Sequence, residues 1–490
     1  MKTAIVIGAG IGGVASSIRL AHLGYQVTVI EANAYPGGKL STFTLEGYRF
    51  DAGPSLFTMP HYVTSLFDLV GENPADHFTY RRKEIACRYF WQDGTIFSAY
   101  SNTDKFIAAA AKTFQVETTR LKKYLERAKK KYRLTAPLFL ERSLHKSSTL
   151  LSKKTLAALF HLPTYQLEET LHSANKKSFN NPKLVQLFDR YATYNGSNPY
   201  KTSGMMTLIQ HLESEYGTFI PEEGMVAISK SLWELSKRQG VSYLLSTKVD
   251  QILVEHGVAK GVVVGEKIMA ADVVVSNMDV FPTYRRLLPN EKAPEKILQQ
   301  ERSSSAVIFY WGIQQSFPDL ELHNIFFSDD YKAEFEAIFS SYNIAADPTI
   351  YVNITSKDVP EDAPQNCENW FVMINTPADM GQDWEILVKE LRAVVIDKLS
   401  RQLKCDLEAL IVCEKVLTPP EIARSTQSHL GALYGASSNT VGSAFLRHPN
   451  FSKRIKNLYF CGGSVHPGGG IPLCLLSAKI VAELIEKETP

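Results

Sequence analysis

The chain has no long apolar run. Nowhere in its 490 residues do about 18 apolar residues follow one another without interruption, as a bilayer-spanning helix requires. Cysteine is sparse and unpatterned. The six thiols, Cys87, Cys367, Cys405, Cys413, Cys461 and Cys474, show no C-x-x-C and no regular spacing. That argues against a disulfide framework or a metal site, and it makes a reducing cytoplasm the expectation. An excess of one charge is missing too: 53 Lys and Arg stand against 51 Asp and Glu, so no global field points to a nucleic-acid partner. There is no internal repeat, no low-complexity linker, and no leader-like segment ahead of the first strand-like run. What remains, 44% hydrophobic and 21% charged residues, is the composition of a folded protein of two or three domains at roughly 150 residues each.

The chain does have two glycine-rich segments, one near each end. Lys2 to Ile7 is an apolar, β-branched run that predicts a buried parallel strand. Gly8-Ala9-Gly10-Ile11-Gly12-Gly13 follows at once, then a predicted helix from Val14 to Leu23 stopped by Gly24, then a strand Val27 to Ile30 ending at Glu31 and Ala32. The residue types suit a dinucleotide. Gly8 permits a tight turn, Gly10 lets the backbone approach a pyrophosphate, and Gly12 and Gly13 allow helix and strand to pack closely. The helix N-terminus offers N–H groups and a favourable dipole to phosphate. Glu31 can accept from ribose hydroxyls and would repel a 2′-phosphate, which disfavours NADP. Gly37-Gly38-Lys39 adds a second turn with a cation beside the phosphates.

The middle of the chain reads as α/β. Met225, Ile228, Leu232 and Leu235 recur at helical spacing, and two strand-like runs, from Val249 and from Val258, flank a hairpin turn at His256-Gly257. A further apolar strand, Ala271 to Val275, ends near Asn277. Residues 105–180 carry sixteen Lys and Arg against five acids. Apolar residues recur there at helical spacing: Leu121, Tyr124, Leu125, Ala128 and Tyr132, then Leu150, Leu151, Leu156, Leu159 and Phe160. A pair of basic amphipathic helices suits an anionic membrane surface. Near the C-terminus the pattern of strand, glycine loop and helix returns: Asn457 to Cys461, residues 462–470, and a helix from Ile471 with Pro472 in its first turn.

The N-terminal pattern resembles the two-dinucleotide-binding-domain flavoproteins, which bind FAD; that family often has arginine where Lys39 stands. The string from Gly462 to Pro472, GGSVHPGGGIP, closely resembles the C-terminal signature of phytoene-desaturase-type carotenoid desaturases, G-x-x-T-H-P-G-x-G-I-P, with Val465 in place of threonine. Phe50-Asp51-Ala52-Gly53-Pro54-Ser55 and residues 219–225 match as well. Residues 431–439 and 444–450 look like the subgroup that desaturates 1-hydroxylated acyclic carotenoids at the 3,4 position.

The resemblance implies a Rossmann-like, discontinuous FAD domain from residues 1–70, 220–290 and 430–490. A mixed-sheet substrate domain would come from 71–219 and 291–429, with 105–210 helical and membrane-facing. It implies that Gly53, Pro54, Ser55, Leu56, Val249, Asn277, Gly462, Gly463, Gly470, Ile471 and Pro472 join the N-terminal loop, Glu31, Ala32, Gly38 and Lys39 in binding FAD. An allylic hydride would pass to the flavin and a proton would leave the adjacent carbon, with oxygen or a membrane quinone as final acceptor. Glu223, Arg447 and His466 are the candidate catalytic groups. The alternatives are a phytoene- or lycopene-type desaturase and a flavin-dependent carotenoid isomerase. A prenyl-binding carrier and an amine oxidase fit the two terminal motifs less well.

Overall fold

A computed structural model describes residues 1–143, 145–146, 161–440, 442–443 and 446–488. Its first layer is a five-stranded sheet in the order Leu458–Phe460, Val273–Ser276, Thr3–Ile7, Gln26–Ile30 and Ser242–Leu244, every neighbouring pair parallel. Beyond Thr3 the central strand is apolar and buried because both its faces are covered. Ala4 and Val6 join a core with Val14, Ile18, Leu232, Leu475 and Val481. These come from three helices, Ile11–His22, Val226–Arg238 and Ile471–Glu488. Ile5 and Ile7 join the opposite cluster with Ile252, Val262 and Val274. That face is covered by an antiparallel sheet of Gln251–Glu255, Val258–Val264 and Lys267–Ala270. The turn at His256-Gly257 has positive φ at both residues, 49° and 74°, the geometry a two-residue hairpin requires.

The first helix starts at Ile11, three residues before the sequence-based boundary. Glycine is a poor helix former, so the glycine run reads as loop, yet two of its residues lie in the first turn where a side chain would not fit. The strand expected from Val249 starts at Gln251.

The second layer is a seven-stranded mixed sheet: Ile411–Leu417, Ser305–Ile313, Glu368–Thr376, Ile350–Ile354, His323–Phe326, Ile85–Phe90 and Ile96–Tyr100. Neighbours are antiparallel except His323–Phe326 with Ile85–Phe90. One face, with Phe309, Trp311, Val352, Trp370 and Val372, packs against the helix Trp384–Leu403 through Leu391, Val395 and Leu399. The other face carries Cys87, Tyr89, His323, Tyr351, Asn353, Phe371 and Tyr310, which the ladder registers place on one side. It looks toward the helical part and toward residues 52–55.

In the helical part, Thr103–Phe114 and Thr118–Thr135 are helices, as are Leu171–Ser178 and Pro182–Asp189. Leu121, Tyr124, Leu125, Ala128 and Tyr132 are buried as their spacing predicts. The second expected run, Leu150, Leu151, Leu156, Leu159 and Phe160, lies outside the described residues. Among the described residues no helix is long and apolar enough to cross a membrane.

One basic residue departs from the charged face. Lys131 is fully buried, and its ammonium donates to Gly204 O (2.8 Å), Thr207 Oγ1 (2.7 Å) and Gln166 Oε1. Three neutral acceptors match its three donors, but burial, with Arg127 nearby, pushes its pKa from the ordinary 10.5 down to about 7. The unfolded chain therefore binds more protons between those two values. The fold gains stability from this group as pH rises from about 7 toward 10.5. Lys131→Met is expected to flatten that part of the stability profile, read as urea midpoints at pH 6 and pH 9; an unchanged slope would refute the assignment.

Candidate functional site

The two glycine segments meet. Both follow strands of the parallel sheet at their carboxyl ends, the place where open α/β sheets hold ligands. Gly8 turns the chain with φ of 92°. Gly10 then caps the helix with no side chain at its N-terminus and no acid in the first turn, so the first N–H groups and the positive end of the dipole are left for an anion. A Cβ on Gly13 would lie 2.1 Å from Gly8 O. A Cβ on Gly12 would lie 2.7 Å from Asn277 Oδ1 and 3.3 Å from the Gly462 backbone. Asn277 thus stands between the segments, and Gly462 (φ 98°) comes equally close to it.

Glu31 ends the second strand as a buried carboxylate, accepting from Ala9 N at 2.7 Å and Asn33 N at 2.8 Å. Each oxygen retains acceptor capacity. The backbone of 244–247 runs alongside, with Glu31 N donating to Leu244 O and Thr247 N to Glu31 O. Val249 is buried just beyond, whereas Ala32 is exposed. Glu31→Gln would turn an N–H donor against one of those backbone donors. It is expected to raise the dissociation constant of the bound dinucleotide roughly 10- to 100-fold, the value of a charge-assisted hydrogen bond. Flavin fluorescence titration checks this, and an unchanged affinity would remove Glu31 from the ribose end.

Gly37 N donates to Ala9 O, and Gly38 lies against Gly10, where a Cβ would come 3.2 Å from the Gly10 Cα. Lys39 follows, its Nζ donating to Leu433 O at 3.0 Å. Burial lowers its pKa, with Asp279 and Cys474 opposing. A Cβ on Gly53 would lie 1.8 Å from Lys39 O, so Gly53 lets Pro54, Ser55 and Leu56 pass directly over the lysine. Ser55 Oγ hydrogen-bonds the Tyr351 hydroxyl at 2.8 Å. At the other end, Gly463 follows Gly462, and Gly470 (φ 105°) has open space where a Cβ would point. The helix from Ile471 and Pro472 also has no acid in its first turn. Val465, the departure from the family string, is fully buried in the apolar cluster with Leu458 and Phe460.

Of the three candidate acid–base residues, Glu223 stands apart from Arg447 and His466, whose segments lie side by side with His466 N donating to His448 O. Glu223 is exposed over 70% of its side chain and pairs with Lys230 at 2.8 Å, which places its carboxylate in solvent. Arg447 is buried beside Gly468, its guanidinium donating to Tyr434 O at 2.9 Å, with burial and nearby Arg302 lowering its pKa to about 10. His466 is buried with Nε2 2.8 Å from Arg142 O, and burial lowers its pKa to about 4. A neutral imidazole bound to a carbonyl donates through Nε2, so this nitrogen is occupied. Sequence reasoning missed Tyr351, His323 and the buried Arg190–Glu213 pair, because no local motif surrounds them; only the ladder register puts the first two near Ser55.

Two helix N-termini without an acid in the first turn, a Cβ-free cradle between them, a buried carboxylate at the end of the second strand and the Lys39 ammonium fit one long dianionic dinucleotide. This donor set defines a dinucleotide-binding protein. The chain belongs to the family of flavin-containing amine oxidoreductases, whose model matches residues 11–486, and within it to the carotenoid desaturases. It is 56% identical over 485 residues to a 1-hydroxycarotenoid 3,4-desaturase of Flavobacterium sp. (strain P99-3), covering 99% of both chains. It is 32% identical to a 4,4′-diapolycopene oxygenase of Methylomonas sp., over 98% of this chain and 97% of that one. Among solved structures, a redesigned putrescine oxidase superposes with a TM-score of 0.65 at 14% identity, over 100% of this chain and 99% of the other, which shows the shared fold.

Proposed function

We propose that the protein is an FAD-dependent carotenoid desaturase acting on the 3,4 bond of an acyclic, 1-hydroxylated carotenoid. The observation that carries this is the full-length relationship to the hydroxycarotenoid desaturase. Bound FAD supplies the two-electron oxidant that removal of hydrogen from a saturated bond needs. The chain's own groups bind, orient and exclude water. The helix starts at Ile11 and Ile471, with Lys39, hold the pyrophosphate, and Glu31 holds the ribose. The sheet face carrying Tyr310, Tyr351 and Phe371, tied to residues 52–55 by Tyr310 Oη donating to Ala52 O and by the Ser55–Tyr351 bond, closes over the reacting end of the substrate. The cofactor part is assigned to 1–70, 220–290 and 430–490, and the substrate part to 71–219 and 291–429.

The exposed residues Lys112, Arg120, Lys122, Lys123, Lys130 and Arg133 support a peripheral position on an anionic membrane, from which an apolar substrate is drawn. Cosedimentation with anionic but not neutral vesicles, lost on charge reversal at these positions, is the expected result. The final acceptor is oxygen or a membrane quinone, which anaerobic assays with and without quinone separate.

Product mass tests the activity itself. With a panel of hydroxylated and non-hydroxylated acyclic carotenoids, the hydroxylated substrate should lose two hydrogens. A product of unchanged mass but altered double-bond geometry would make the protein an isomerase, added oxygen would align it with the oxygenase relative, and conversion of phytoene alone would move it to the phytoene-type desaturases.

A further inference from the structure

His323 lies on the sheet face that looks toward residues 52–55, directly opposite Asn353 in the ladder. It is 2% exposed. Its Nδ1 has two neighbours: the Tyr351 hydroxyl at 2.8 Å and Asn353 Nδ2 at 3.2 Å. The orientation of Asn353 is fixed by a second bond, because Nδ2 also donates to Leu322 O at 2.9 Å and a carbonyl only accepts. Asn353 therefore offers a hydrogen to Nδ1, and Nδ1 must be the acceptor. With Nδ1 as acceptor, the Tyr351 hydroxyl shares that one lone pair with Asn353 as the nearer donor, and its oxygen is then left to accept from Ser55 Oγ, 2.8 Å away. Burial, reinforced by the cations Lys83 and Arg190, lowers the pKa of the ring to about 3. A neutral imidazole that accepts at Nδ1 carries its hydrogen on Nε2.

That Nε2–H has no hydrogen-bond partner among the described residues. Buried side-chain donors are nearly always satisfied, and an exception calls for an explanation. The network explains its purpose. Ser55, Tyr351 and Asn353 hold one tautomer, and the result is a donor fixed in direction on a largely aromatic wall, where the Tyr89 hydroxyl is also buried without a hydrogen-bond partner among the described residues. The chain that leads to it begins at Ser55, in the segment that passes over Lys39. The donor therefore belongs to the wall beside the cofactor part rather than to the periphery.

We propose that His323 Nε2–H is the donor that grips the hydroxyl oxygen of the carotenoid's tertiary alcohol and so sets which bond of the polyene's saturated end is oxidised. This rests on the desaturase reading given above. The hydroxyl of a 1-hydroxy substrate is two carbons from C3, so one fixed donor near the reacting end suffices to register the 3,4 bond. Tyr351, Asn353 and Ser55 act through His323 as positioning residues.

The test uses the flavin-loaded protein with a 1-hydroxylated carotenoid and its deoxy analogue. Wild type should favour the hydroxylated substrate. His323→Phe, which keeps an aromatic ring and removes the donor, should lower kcat/KM roughly 10- to 100-fold on the hydroxylated substrate and leave the deoxy analogue within about twofold. The flavin content should stay at the wild-type level. His323→Gln, whose amide nitrogen can take the place of Nε2, should restore most of the preference. An unchanged substrate ratio in a flavin-loaded His323→Phe would overturn the proposal. So would a wild type that turns over both substrates equally, and that result stands even if the variant does not fold. A wild type that removes no hydrogen from either substrate would instead sink the desaturase reading itself.

Discussion

Gly13→Ala is expected to yield a protein that purifies colourless. The added methyl would sit 2.1 Å from Gly8 O, a backbone atom at the turn where the first strand ends. Real contacts of this kind do not fall below about 3 Å, and neither side can yield alone. The carbonyl directly follows the strand at the centre of the parallel sheet, and the helix is packed against Val226–Arg238 and Ile471–Glu488. Either the helix lifts from the sheet, which drags its N-terminus from the pyrophosphate, or the turn at Gly8 deforms. Overpacking of a rigid site costs typically about 1–3 kcal/mol and more where backbone meets backbone; here the upper end or beyond is expected. The check is the flavin absorbance of the purified variant together with its melting temperature. Gly24→Ala serves as control. That residue also has positive φ (85°), but nothing lies within 4 Å of the added atom, so only the backbone strain of about 1–2 kcal/mol applies and the flavin should remain.

The second large effect is expected at Arg190. Its guanidinium lies 3.2 Å from Glu213 in a site where both side chains are under 10% exposed. It sits over the rings of Tyr191 at 4.6 Å and of Tyr89 and Tyr194 at 5.3 Å. The hydroxyls of Tyr191 and Tyr194 donate to the same carboxylate. Arg190→Leu would leave Glu213 as a buried charge held only by two phenols, and breaking a buried pair in this way costs about 3–5 kcal/mol. The double variant Arg190→Leu/Glu213→Gln removes the orphaned charge and keeps an acceptor for the tyrosines. It should be more stable than the single variant. Denaturant midpoints of the four proteins form the cycle; a double variant no better than the single one would show that the arginine's packing, not its charge, is what matters.

The cofactor half was legible in the sequence because its information is local. A strand, a glycine turn, a helix start and an acid fall within 31 residues, and each requirement is written in residues that touch. The same holds for the C-terminal string. The boundary error at Ile11 has the same origin: glycine reads as loop, and only the approach of Gly8 O to Gly13 explains why it stands inside a helix. The family resemblance implied a mixed sheet in the substrate part, but the strand order of the seven-stranded sheet was not legible. Its order sets Ile85–Phe90 beside His323–Phe326 across more than two hundred residues, and nothing local encodes that pairing. The candidate acid–base residues suffered likewise. Glu223 lies within a family motif in sequence but points to solvent, whereas His323 and Tyr351 carry no motif and reach Ser55 only through strand register. Charge counting over 105–180 had the same limit, since it cannot tell Lys131, turned inward, from Lys130 on the exposed face.

The contact between the two glycine segments also governs when the site can come into being. Thr3–Ile7 and its loop emerge from the ribosome first, while Leu458–Phe460 and the helix that follows emerge more than 450 residues later. At roughly 5–20 residues per second, the first half of the cradle waits on the order of 20–90 s for the second. Through that interval the strand Val273–Ser276 has an open edge, the one that Leu458–Phe460 later covers. Flavin capture by the complete cradle therefore has to wait for Leu458–Phe460 and the helix that follows it.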